Sequence, residues 1–95
     1  MNKWPVKVGS FVISRAGRDQ GRLFLVVGEV DENFVNIANG SLRRLDRPKK
    51  KRRRHLKPTG SVCQALLERQ DRGEPVEDHE LRAWLSEEEK KLVQV

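Results

Sequence analysis

In the first half of the chain, apolar residues fall in short runs separated by turn-forming residues. Phe11-Val12-Ile13 lies between Gly9 and Gly17. Leu23-Phe24-Leu25-Val26-Val27 follows, and Phe34-Val35-Asn36-Ile37 is the third run. Runs this short, rich in Val, Ile and Phe, predict strands and not a helix. Asp31-Glu32-Asn33 predicts a turn between the second and third strands. Asn39-Gly40 predicts a type I′ hairpin turn, because both residues tolerate a positive φ, and it leads into a fourth strand over residues 41–45. The runs are continuously apolar, so both faces are buried, as happens when a short sheet curls into a barrel. Gly28, at the end of the second run, predicts a bulge or a barrel corner.

From residue 59 the period changes. Val62, Ala65 and Leu66 mark one helical stripe, with Ser61 or Thr59 as its N-cap. Gly73-Glu74-Pro75 breaks it. A second helix is predicted to start near Asp78, with Leu81, Trp84, Leu85 and Leu92 on one face. Ser86-Glu87-Glu88-Glu89 fits a capping box, so the helix either runs through or restarts there. Helices this short need a surface to pack on.

Charge divides the chain differently. Residues 1–58 carry a formal +10 and residues 59–95 a formal −4, within a total of +6 over 95 residues. That split predicts a polyanionic partner for the first part and a separate task for the acidic tail. The densest feature is Arg47-Pro48-Lys49-Lys50-Lys51-Arg52-Arg53-Arg54-His55-Leu56-Lys57. With Arg43 and Arg44 it makes ten Lys and Arg in fifteen residues, opposed only by Asp46. Solubility requires far less. Such packed like charges are expected to be extended or mobile until a polyanion lies alongside.

Candidate chemistry is sparse. Cys63 is the only cysteine, which rules out an internal disulfide, and with His55 and His79 it lacks the paired spacing of a zinc site. It reads as a small semi-buried apolar residue. Gly17-x-x-x-Gly21 has neither the spacing nor the Lys-Ser/Thr ending of a nucleotide-binding loop. A non-enzyme without cofactor or metal is expected. No apolar run spans a bilayer, and residues 1–10 lack the apolar stretch of a signal peptide, which together predict a cytoplasmic protein. In a nucleated cell the basic run would also serve as an import signal.

The loop joining the first two strands holds Gly17 and Gly21 with Arg15, Arg18 and Arg22. Glycines let backbone approach a sugar-phosphate chain, and arginine forks match phosphate oxygens. A tight hairpin with solvated arginines fits the same spacing. Asp19 either holds one of these arginines or caps the turn. Residues 8–27 resemble the KOW motif, a strand-loop-strand unit of ribosomal and transcription-elongation proteins. The wider pattern adds Gly17-Arg18-Asp19, the Asn39-Gly40 turn, Pro48-Lys49-Lys50 and His55-Leu56. Over roughly residues 6–57 it resembles a bacterial family of small KOW RNA-binding proteins, similar to large-subunit ribosomal proteins of archaeal and eukaryotic type.

The resemblance implies an SH3-like barrel contacting structured RNA. The resulting expectation is a mainly β protein in three parts: a barrel over 1–46, a basic RNA-binding segment over 47–58 and an acidic helical tail over 59–95. It is expected to be a monomer, docked on ribosomal RNA of the large subunit. Arg15, Gly17, Arg18, Gly21 and Arg22 would position the loop on phosphates. Arg43, Arg44, Arg47, Lys49, Lys50, Lys51, Arg52, Arg53, Arg54, His55 and Lys57 would supply the grip. The tail would shield the basic run or contact ribosomal proteins. The alternative is a KOW-type protein-interaction module for ribosomal proteins or the transcription machinery. Lipid binding is disfavoured, because no aromatic or long apolar residues flank the run for insertion. Phe11, Phe24 and Phe34 are assigned to core packing, and Trp4 to covering the barrel end.

Overall fold

A computed structural model describes residues 6–93. Five strands, β1 (Ser10–Ser14), β2 (Leu23–Glu29), β3 (Phe34–Ala38), β4 (Lys49–Arg52) and β5 (Leu56–Val62), form one antiparallel sheet in the order β4-β3-β2-β1-β5. Two helices follow, α1 (Gln64–Asp71) and α2 (Asp78–Val93). The protein is mainly β, a small barrel-like sheet closed over by C-terminal helices. Trp4 lies outside the described residues.

The first three strands stand where the apolar runs predict, and strand alternation sorts their side chains between two cores. Phe24 and Val26 join Val6, Val12, Val35, Ile37 and Leu56 inside the curl of the sheet. Leu23 and Leu25 point the other way, joining Phe11, Ala38, Cys63, Leu66, Leu81 and Leu85 beneath the helices. The sheet bends at two register shifts, one between Val26 and Gly28 opposite β3, one between Ser10 and Val12 opposite β5. Such an extra residue kinks a strand and tightens its twist, so Gly28 marks the predicted bulge. The Asp31 turn also forms: its carboxylate accepts from the N–H groups of Asn33 and Phe34 at 2.8 and 2.9 Å.

The fourth strand is not at residues 41–45. Those residues make an irregular loop, and Asn39 does not take a positive φ. Its side-chain oxygen instead accepts from Ser41 and Arg43 N–H, closing a wider turn than a type I′ pair. The fourth strand is Lys49–Arg52, and the basic run is neither linker nor mobile arm. It supplies β4, the 3-10 turn Arg53–His55 and the start of β5, the two outer strands of the sheet. Charge density alone misleads here because β3 offers Lys49 and Lys51 the apolar neighbours Ile37 and Val35. Both residues are half-buried there, and the Lys51 ammonium donates to the Ala16 carbonyl.

The tail departs from its pattern at two points. Thr59, Ser61 and Val62 belong to β5, so Val62 is not part of the helical stripe; the Thr59 hydroxyl donates to the Phe11 carbonyl, and Cys63 takes the N-cap position of α1. Leu81 and Leu85 are buried as their spacing predicts, but Leu92 is 41% exposed, in an open groove that it lines with Ile13 and Leu23. Of the two courses open to it at Ser86, helix α2 takes the first and runs through.

Candidate nucleic-acid interface

Three segments distant in sequence meet beside the loop that joins β1 to β2. Gly17 and Gly21 hold φ of 79° and 87°, the left-handed region open to glycine. The turn closes through Gln20 N–H to the Gly17 carbonyl and Gly21 N–H to the Ser14 carbonyl. The Arg15 N–H donates to the His55 carbonyl at 2.8 Å, and Lys51 Nζ donates to the Ala16 carbonyl at 3.0 Å. From the other side Arg43 reaches Asp19, with Nη2 3.1 Å from Oδ2. Asp19 is buried, so it serves as the anchor of the loop. It holds Arg43 and none of Arg15, Arg18 or Arg22.

The loop is therefore a fixed platform with its own three arginines exposed. Among the described residues Arg15, Arg18, Arg22, Arg47, Lys49, Arg54 and Lys57 form no ion pair. Lys57 stands opposite Ile13 in the register, two residues from Arg15. Lysines on an edge strand also deter pairing with another chain. The number of unneutralised cations on this loop and the basic run exceeds that purpose.

Other predicted contacts are committed to the fold. Arg53 is 3% exposed: its guanidinium donates to the carbonyls of Val6 and Asp31 and to Glu29, and only its Nε lacks a partner. Its burial removes it from the set that can face a phosphate. Arg44 pairs with Asp78 at 3.3 Å, at the start of α2. Lys51, Arg43 and the His55 backbone position the loop, and the His55 side chain is half-buried.

The acidic tail does not cover the basic run. Its polar contacts with the barrel go elsewhere: Asp78 to Arg44 and the Leu45 N–H, Arg82 to the Gly40 carbonyl, Gln70 to the Val27 carbonyl. Among the described residues no ion pair joins the tail to residues 47–57, so the shielding role has no contact to support it.

A second basic surface was hidden in the sequence. Phe34 belongs to neither core. It stands opposite Arg52 and diagonal to Lys50, and both cations lie 4.8 Å from its ring centre. Next to it Asn33, Arg52, Arg53 and Arg54 line a cleft of about 70 Å³. The signal was available: with Val35 and Ile37 inward, period two sends Phe34 out with Asn36. The assignment of Phe34 to the core is thus corrected, while Phe11 and Phe24 are buried as expected.

Among the described residues no cluster of His, Cys, Asp or Glu is placed to hold a metal ion, and no helix is long and apolar enough to cross a membrane. Compared with known proteins, the chain matches no family model and no curated protein.

Proposed function

We propose that this chain is an RNA-binding protein that docks on structured ribosomal RNA, as its resemblance to KOW proteins implies. The observation that carries this reading is the set of unpaired cations on the loop between β1 and β2 and on the basic run that holds it. A cation without a carboxylate partner keeps its full attraction for a phosphate, and releasing the counterions of the RNA drives association. Holding the loop by Asp19, Lys51 and His55 lowers the ordering cost on binding. Phosphate contacts of this kind position the protein but carry no sequence information. Selectivity then comes from RNA shape, because side chains cannot read the deep, narrow major groove of an A-form helix.

The test replaces Arg15, Arg18, Arg22, Lys49, Arg54 and Lys57 by Gln and leaves the buried Arg53 in place. On single strands each neutralised phosphate contributes about −0.7 to the slope of log K against log salt, so six contacts give about −4. The variant should keep its fold, lose most of that slope and no longer sediment with large ribosomal subunits. An unchanged slope would remove these cations from the interface. Capture of ribosomal proteins that survives nuclease treatment would favour the protein-interaction module instead.

A further inference from the structure

We propose that the outer face of β3 and β4 is a stacking platform for an unpaired RNA base, with Phe34 as the surface on which the base lies. This inference rests on the RNA-binding reading and names the part of the RNA that the site would take. A half-buried phenyl ring on a solvent-facing strand position contributes little to either core of the protein. Two cations lie over it, Lys50 and Arg52, which have no carboxylate partner among the described residues. A cation on a ring is stabilising by itself. These two exposed side chains swing aside when a base takes their place on the ring, which leaves what a single-stranded nucleotide requires, a π-face for the base and positive charge for the phosphates on either side of it.

The neighbouring groups extend the match. Arg52 and Arg54 are exposed at the cleft beside Phe34, within reach of a flanking phosphate. Asn33 lines that cleft, and its amide offers both a donor and an acceptor for a base edge. The backbone beneath is fixed: Arg53 N–H donates to the Asn33 carbonyl at 2.8 Å, and the buried Arg53 side chain ties the 3-10 turn to the Asp31 turn. A base stacked on Phe34 must be unpaired, so the platform selects loops, bulges or ends over continuous duplex.

The experiment measures binding of the full chain and its Phe34→Ala, Phe34→Leu and Phe34→Trp variants to a single-stranded RNA of about twelve nucleotides. An abasic strand of the same length and charge is measured alongside. Ala and Leu should weaken binding to the RNA between about five- and one-hundred-fold, while Trp retains it. The abasic strand should bind the unsubstituted chain as weakly as the RNA binds Phe34→Ala, with no further loss on combining the two. The salt slope should not move, since no charge is removed. Leu matching Phe, or an abasic strand binding as tightly as the RNA, would overturn the stacking role while leaving phosphate docking intact. If the unsubstituted chain binds neither strand at low salt, the RNA-binding reading fails with it. Thermal melting of Phe34→Leu keeps loss of fold distinct from loss of stacking.

Discussion

Arg53 and Gly40 show how single residues are committed to the fold. The buried guanidinium donates to the Val6 and Asp31 carbonyls and to the Glu29 carboxylate, and without it the buried Val6 carbonyl would lose this partner. Arg53→Met should therefore destabilise the protein by about 3 kcal/mol, read from denaturant unfolding, with the salt dependence of RNA binding unchanged. A changed salt slope with intact stability would return Arg53 to the interface. Gly40 has φ of 81°, and an added Cβ would lie 2.4 Å from the Asp78 carbonyl oxygen at the start of α2. Backbone at that distance cannot yield as a flexible side chain does. Gly40→Ala should cost about 2 kcal/mol or more and expose α2 to proteolysis ahead of the barrel. Burial pushes the Cys63 thiol above its ordinary range. A thiol reagent should modify it slowly in the native protein and rapidly in denaturant.

Among the elements, α1 and α2 are joined by charge where the sequence shows only a helix break. Arg69 on α1 reaches Glu80 on α2 and the Pro75 carbonyl, and Arg69 and Arg72 both pair with Glu74. The Arg69 guanidinium holds the Glu80 carboxyl below its usual range, and Arg72 does the same for Glu74. A carboxyl with a lowered native pKa stabilises the fold fully above its unfolded value, near 4.3, and loses that contribution as pH falls through the native one. Acid should therefore loosen the connection between the helices below about pH 4. Arg69→Gln should weaken that dependence in a melting series, whereas an identical acid profile would show that the pairs contribute nothing. Helix α2 is legible from Leu81, Trp84 and Leu85 because its period matches a buried face. The N-cap of α1 was not, since Thr59 and Ser61 are capping residues by type yet lie in β5, at the irregularity in its pairing with β1.

At the scale of the whole molecule, barrel and tail are one folding unit. Leu81 and Leu85 on α2 pack against Phe11, Leu23 and Leu25, and α1 adds Leu66. Leu81→Ala should cost about 2–5 kcal/mol and lower the melting temperature in one cooperative transition. Two separate transitions would show an independent tail. Cutting the chain at residue 59 removes part of β5, so such a truncation tests folding and not electrostatic shielding. What the sequence by itself determined is the set of local facts: three apolar strands, the Asp31 turn, the Gly28 bulge, a glycine-bearing arginine loop and the α2 stripe. Each follows from residue type and a period of two or 3.6, which need no knowledge of neighbours. Only the tertiary structure decided which cations face outward. Arg53 and Arg54 are adjacent and chemically identical, yet one is enclosed by the turns from Val6 and Asp31 and the other is exposed. That difference arises from contacts more than twenty residues apart in the chain, and no local pattern encodes it.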